Sequence, residues 1–557
     1  MIPVMKSLRS DVLRNLELKS DERQITVLGR HGRANHYTGG QLLAEAEQCL
    51  RQWDACLGAG PHVLVAALPP GETFLFSLIA SLIGEGTLVP VAPPRPSDPP
   101  GRLRHIAQTC RATAVLCMAA RRTAVEEQLR DGDGLPVCAV LAVDDPVPMP
   151  LGGAGRIADR TIPIIQHTSG STRLPKAVPI TAAQIRANCA MIQTLWGMNR
   201  QTVMVNWLPH YHDMGLMGGI LYPLLSGAYS VQMSPFEMIR SPLSWLQAIA
   251  TYRATFSGGP SFSFQECLTR IAEEDCAGLD LSSWQRAFCG GEPVPAGLLS
   301  RFRQRFARSG LAPDSVFACY GMAEYTLFSA GEPESRSPDT DVSDIPQGWT
   351  AVEPCLLSEH TRRNIRITHP KTGAAIPDGE TGEIWLRGAS ASTSYLGAPE
   401  ETDETFENEA DGTRWMRTGD LGGVSGNRLY VTGRRKDVVI VNGRKVAASE
   451  IEWLAARADS GLNPMAAAAF MPEPAASGHA SLYIELRPGT PRLKDPRQII
   501  ARIRRSVAGS YSVVLDDIRI LPRGALPRTS SGKIRRQTVA ATFKEFGACL
   551  SEPEDLR

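Results

Sequence analysis

From about residue 60, short apolar runs alternate with segments of helical period. Residues 62–68 (HVLVAAL), 87–92 (TLVPVA), 114–117, 137–143 and 161–166 read as strands. Residues 72–84 and 102–110 read as helices, the first with Gly84 near its end. Alternating strands and helices predict a mainly parallel sheet covered by helices on both faces. After about residue 350 the texture changes to turns and short strands, 382–387 (GEIWLR) and 428–432 (RLYVT), which predicts a β-rich subdomain. From residue 437 onward the order is strand (438–441), helix (447–457), strands (465–470 and 481–486), helix (496–506) and strand (517–521). That is a compact α+β unit of about 120 residues.

The expected fold class is therefore α/β. A large N-terminal domain, 1–433, holds layered and mainly parallel sheets, with the β-rich subdomain at about 350–433. A polar joint, 434–437, leads to a small, mobile α+β C-terminal domain, 438–557. One stretch, 214–236, carries no charge and is long enough to cross a bilayer. Its Gly215, Gly218, Gly219, Pro223, Ser226, Gly227 and Gln232 suit a buried helix–turn–strand unit better, so no membrane span is expected.

Composition narrows the classes. At about 150 residues per domain, 557 residues hold three or four core units. Lys+Arg is 59 against 58 for Asp+Glu, a net charge of +1, which argues against nucleic acid or an acidic membrane as the main partner. The N-terminus lacks the apolar core of a signal peptide. The 12 cysteines are dispersed with no Cys-x-x-Cys pair, which fits a reducing cytoplasm and leaves no zinc ribbon or thioredoxin-type site.

Candidate chemistry begins at IIQHTSGSTRLPKAVPIT, residues 164–181. A strand ends, and Thr168, Ser169, Gly170, Ser171 and Thr172 follow in succession before Lys176. Such a loop offers backbone N–H groups, hydroxyls and one cation, the groups that hold a polyphosphate. It lacks the second glycine and final Ser/Thr of a Walker A loop.

The loop resembles the signature of the adenylate-forming superfamily of acyl-CoA synthetases, luciferase-like enzymes and adenylation domains. Further matches follow in order: FACYGMAEYT (317–326), RTGDLG (417–422), GRRKDVVIVNGRKV (433–446) and LPRTSSGKIRR (526–536). NWLPHYHDMGLMGGILYPL (206–224), SGGPSFSFQEC (257–267), GGEPV (290–294) and YGMAEYTL (320–327) are similar to the fatty acyl-AMP ligase branch.

The resemblance implies attack of a substrate carboxylate on the α-phosphorus of ATP. Pyrophosphate leaves and an acyl-adenylate remains, which passes to the phosphopantetheine thiol of an acyl carrier protein or of CoA. It implies that Thr168–Thr172 and Lys176 hold the phosphates. Tyr320 stacks on adenine, with Gly291, Glu292, Gly321 and Met322 beside it. Asp420 and Arg434 hold the ribose. Glu324 and Thr168 serve Mg²⁺, a hard ion that prefers oxygen. Lys533 swings in to bridge the carboxylate and the α-phosphate, although a Thr-Ser-Ser-Gly loop is by composition flexible. His212 lies near the acyl carboxylate and the mouth of the thiol tunnel, and Trp207, Met214, Met217, Gly218 and Ile220 line the acyl pocket. The small domain turns at Lys436. His210, His212 and Asp213 together are weak evidence for a metal site.

The chain departs from the pattern at Arg173 and Ala177, where the family usually has glycine. From Glu324 to Glu383 is 59 positions, shorter than expected of the fatty acyl-AMP ligase branch, and VNGRKVAASEIE looks more synthetase-like. The acceptor, carrier protein or CoA, stays open. A third reading, a non-adenylating paralogue that binds acyl-adenylate, is motivated by the altered loop and opposed by Lys533.

Overall fold

The computed structural model describes residues 7–29, 33–95, 98, 101–131, 135–145, 159–168, 175–333, 349–441, 444–471, 480–487, 489–490, 493–511, 513–529 and 533–542. Ser169, Gly170, Ser171, Thr172 and Arg173 lie outside the described residues.

Two layered sheets build the large part of the chain. The first has the order Ala139–Ala142, Ala114–Cys117, Val63–Ala66, Thr87–Pro90, Ile164–His167, Ala177–Ile180. Its pairings are parallel except the last, where Ile164–His167 and Ala177–Ile180 run antiparallel around the phosphate-loop candidate. The strands Val63–Ala66, Thr87–Pro90 and Ala114–Cys117 are buried at every position, as a sheet covered on both faces requires.

The second sheet has the order Phe328–Ala330, Val316–Gly321, Arg286–Gly290, Phe256–Gly259, Val203–Asn206, Tyr229–Gln232, Arg23–Leu28, Ala34–Thr38. Its interior is parallel and its two edge strands are antiparallel. The edge pair Arg23–Leu28 and Ala34–Thr38 has no counterpart in the sequence reading, which begins near residue 60. A third sheet, Cys355–Leu356, Arg428–Arg434, Arg414–Ser425, Gly382–Leu386 and Ile365–Thr368, is antiparallel throughout and is the expected β-rich part.

The uncharged stretch folds as a π-helix Met214–Leu221, one turn Tyr222–Leu225 and the strand Tyr229–Gln232. Gly215 and Gly219 let it lie against its neighbours. A Cβ on Gly215 would stand 2.2 Å from the Pro209 carbonyl, and one on Gly219 2.2 Å from the Asn206 side chain. Side chains of the neighbouring strands bind two carbonyls of the π-helix. Gly219 O accepts from Ser230 Oγ and Gln232 Nε2, and Gly215 O from Asn206 Nδ2. No helix among the described residues is long and apolar enough to cross a membrane.

Beyond residue 437 the chain builds cores of its own. The helices Ala448–Ala456 and Pro496–Tyr511 pack on the sheet Leu462–Phe470, Ala480–Leu486, Leu515–Leu521 through Ile451, Ala455, Ile499, Ile503 and Val507. A second small core on the other face joins Phe470, Tyr483, Leu521, Leu526 and Val539. Leu526 and Val539 thus tie down both flanks of the segment that bears Lys533.

Candidate active site

A cleft of about 1560 Å³ opens at the carboxyl ends of the parallel strands and reaches under the C-terminal unit. Ligands of open α/β sheets sit at these strand ends because the loops there converge. The strand Val316–Gly321 delivers Tyr320 to the cleft, and the long strands Arg414–Ser425 and Arg428–Arg434 deliver Asp420 and Arg434 as facing partners. Tyr320 Oη donates to Asp420 Oδ2 at 2.7 Å, and Arg434 Nε lies 3.2 Å from Asp420 Oδ1. Burial and the Asp420 carboxylate push the Tyr320 phenol well above its usual range, so it stays a donor. The Asp420 carboxylate raises Arg434 in turn. Each Asp420 oxygen keeps one further lone pair for another donor. Gly291, Glu292, Gly321 and Met322 line the same wall. Ser261 Oγ donates to Glu292 Oε1 at 2.6 Å.

Glu324 is thrust into the cleft by a strained turn. Thr326 has φ 66° and ψ −54°, and Leu327 N donates to Tyr325 O at 2.8 Å. That is a γ-turn, rare for a β-branched residue and found where structure around it enforces it. It sends the strand Phe328–Ala330 back along Val316–Gly321 and leaves the Glu324 carboxylate buried. Burial raises its pKa. Tyr395 Oη donates to Glu324 Oε1 at 2.9 Å, and the Tyr395 ring lies under the Lys176 ammonium, 4.6 Å from its centroid. Burial lowers the Lys176 pKa, and Glu401 acts against that. Thr168 N donates to Lys176 O at 3.0 Å, which closes the base of the loop. Tyr395 is a site residue that sequence reasoning missed. Its partner is 71 positions away, and nothing local marks it.

Lys533 lines the cleft from the opposite side. Burial pushes its ammonium below the usual lysine value and Arg434 adds to that, while Glu292, Asp213 and Asp420 pull the other way. Lys436, in the turn Arg435–Asp437, also lines the cleft. Ser530, Ser531 and Gly532 of the lysine loop, expected to be flexible, lie outside the described residues, and the residues on either side of them are joined. Thr529 N donates to Lys533 O at 2.8 Å, Lys533 N donates to Thr529 Oγ1 at 3.1 Å, and Arg528 pairs with Ile534 across a β-bridge.

The cleft continues as an apolar branch along Met204, Phe288, Phe328 and Leu327. Trp196 lies at its wall, stacked on Phe288 at 5.3 Å and edge-on to Phe328 at 5.0 Å. Met214, Gly218 and Tyr222 line it at four-residue spacing, one stripe along the π-helix and the turn that follows it. Met217 and Ile220 lie on the remaining faces of that helix, pack in the main core and do not line the cleft. Trp207 lines it while its indole N–H donates to Gly258 O at 3.1 Å. His212 and Asp213 line it together, with Nδ1 2.6 Å from Oδ1. His210 is turned away from the cleft. It accepts from Gly71 N at 3.3 Å, packs on Phe74, and is pushed down to about 3 by burial. Among the described residues no group of three or more His, Cys, Asp or Glu side chains forms a metal cage.

Residues 17–396 match the family of AMP-binding enzymes. The chain belongs to that family. Among AMP-binding enzymes it is 30% identical to the long-chain-fatty-acid–AMP ligase FadD26 of Mycobacterium marinum, over 93% of each chain. It is 33% identical to the medium-chain-fatty-acid–[acyl-carrier-protein] ligase TtuA of Teredinibacter turnerae, over 69% of this chain and 63% of that one. Of solved AMP-binding structures, one from a study of fatty acyl-adenylate ligases of E. coli and L. pneumophila superposes with a TM-score of 0.80 at 25% identity, covering 97% of this chain and 98% of that one. A fatty acyl-adenylate ligase of L. pneumophila in complex with acyl adenylate and pyrophosphate gives 0.69 at 27% identity, covering 98% and 96%.

Proposed function

We propose that this enzyme uses ATP to activate an apolar carboxylic acid, of fatty or related acyl type, to an acyl-adenylate, releasing pyrophosphate. It then passes the acyl group to a phosphopantetheine thiol. One observation carries the reading: a single cleft gathers Tyr320, Asp420 and Arg434, the cations Lys176 and Lys533, the carboxylate of Glu324 and an apolar branch. These are the parts that the reaction needs. An aromatic face and a carboxylate suit a nucleoside. Cations suit phosphates whose charge grows as pyrophosphate departs. An apolar branch suits an acyl chain.

In this reading Thr168 to Thr172 and Lys176 hold the outer phosphates. Tyr320 lies against adenine beside Gly291, Glu292, Gly321 and Met322, and Asp420 and Arg434 hold the ribose. Trp207, Met214 and Gly218 border the acid. Lys533 neutralises the carboxylate and α-phosphate oxygens as they meet. The oxygen donors Glu324 and Thr168 fit Mg²⁺, which takes one or two carboxylates plus substrate phosphates rather than an all-protein cage. When bound, the ion neutralises charge on the phosphates.

Residues 1–433 form the adenylating body, 434–437 the hinge and 438–557 the unit that carries Lys533, with rotation at Lys436. The described cysteines are free thiols, which supports a reducing, cytoplasmic setting. Lys436→Pro slows acyl transfer more than adenylate formation.

The short segment between Glu324 and Glu383 favours CoA as the acceptor in a second reading. Incubation with ATP, Mg²⁺ and a mixed acid library, followed by mass spectrometry, tests the activity. An acyl-adenylate and pyrophosphate are expected, and no adenylate with any acid contradicts the proposal. Adding free CoA or a holo-carrier protein to the same mixture separates the acceptors.

A further inference from the structure

His212 and Asp213 stand together at the cleft, and the roles assigned above leave both without a part. Their geometry carries more. Asp213 Oδ1 accepts from Met214 N at 2.7 Å, which caps the π-helix and fixes the carboxylate. A cap needs no imidazole, yet the same oxygen also stands 2.6 Å from His212 Nδ1. Both side chains are partly open to the cleft, 24% and 15% exposed. A carboxylate against Nδ1 holds the proton on that nitrogen and leaves Nε2 with its lone pair. Among the described residues no hydrogen bond reaches Nε2.

Burial alone would raise the Asp213 carboxyl. His212 beside it and Lys533 across the cleft bring it below the ordinary value, so it is the anion. The other groups that act on the pair from packed elements are Glu324 and the Tyr222 phenol.

Resting on the acyl-transfer reading, we propose that His212 is the general base of the thiol step and Asp213 its positioning residue. Nε2 takes the proton of the acceptor S–H. The electron pair left on sulfur forms the S–C bond to the acyl carbonyl. The acyl C–O bond to the phosphate breaks, and AMP leaves with that pair. The proton on Nε2 then passes to water, and nothing is oxidised or reduced.

The test isolates this step. The full chain is loaded with synthetic decanoyl-adenylate, pantetheine is added as the thiol, and thioester is measured in a single turnover. His212→Gln lowers the rate about a hundredfold, the lower end of what a positioned base contributes. Asp213→Asn keeps the helix cap, since Asn caps as well as Asp. It lowers the rate about tenfold with pantetheine, and a more acidic thiol in its place recovers most of that loss, because a thiol already ionised needs no base. A merely structural role would lower the rate with either thiol alike. An equal loss with both thiols, a His212→Gln rate within about threefold of the parent, or no thioester from the parent enzyme overturns the proposal. Failure of the adenylation reading shows elsewhere, as absence of pyrophosphate release from ATP, a step that the preformed adenylate bypasses.

Discussion

The two loops that bring lysines to the cleft are built on opposite principles. Lys176 ends a loop whose base is a strand pair, and its ammonium rests on the face of Tyr395. A cation–π contact of this kind is worth about 1 kcal/mol at a partly open site, so it is readily exchanged for a phosphate. Lys533 sits on a segment pinned at both flanks by buried carboxylates. Before it, Leu526 N and Arg528 both bind Glu485, which is 1% exposed. After it, Arg536 binds Glu452 at 2.6 Å and Asp437, in the turn Arg435–Asp437, at 3.3 Å. The Lys176 cation rests on a ring face, whereas the residues that flank the Lys533 segment are held by ion pairs to buried carboxylates. Anchored flanks suit the role proposed for Lys533, since charge stabilisation in a transition state needs a donor held in place.

The largest effect is expected at Lys533. Lys533→Ala lowers adenylate formation about a thousandfold, roughly 4 kcal/mol, with ATP affinity almost unchanged. Comparable losses of rate and affinity would show that both lysines serve binding. Next is the mount. Arg536→Gln leaves Glu452 without its cation and destabilises the C-terminal unit by about 3 kcal/mol, read by chemical denaturation, because breaking one side of a buried pair strands the other charge. Adenylate formation falls with it, and full activity would separate mount from lysine.

Tyr395→Phe is smaller. It removes one donor from buried Glu324 and leaves the ring under Lys176, costing about 1–2 kcal/mol in adenylation rate. Tyr395→Leu removes the ring as well, and a larger loss there measures the cation's seat. Smallest is a pH effect. Lys533 has its pKa lowered, by burial first and by Arg434 next. Its charge, needed for adenylation, is lost as pH rises through a value below that of free lysine. The rate of adenylate formation therefore declines on the alkaline side earlier than an ordinary lysine would allow. Lys533→Arg, always charged, removes that limb at whatever rate it retains.

Local pattern made much of this architecture legible. The wholly buried runs at Val63–Ala66, Thr87–Pro90 and Ala114–Cys117 and the helices Glu72–Ile83 and Arg102–Cys110 stand where periodicity put them. The uncharged stretch 214–236 was legible as helix, turn and strand, but its π-helical pitch was not. Which of its residues face the cleft depends on that pitch, so Met217 and Ile220 were misplaced. Ordered motifs led to Tyr320, Glu324, Asp420, Arg434 and Lys533, which the fold gathers in one cleft. Tyr395 and the Arg536–Glu452 pair were not legible, because each acts on a partner more than seventy positions away and leaves no mark in its own neighbourhood. The carboxylates that anchor the flanks of the lysine loop were not legible either, because they lie on another strand and another helix.

The most direct test of the account follows the oxygen. An acid labelled with heavy oxygen in its carboxylate is turned over with ATP and a thiol acceptor, and the AMP and pyrophosphate are weighed. If the carboxylate attacks the α-phosphorus, AMP carries one heavy oxygen and pyrophosphate none. Unlabelled AMP, or label in pyrophosphate, would contradict the chemistry assigned to this cleft.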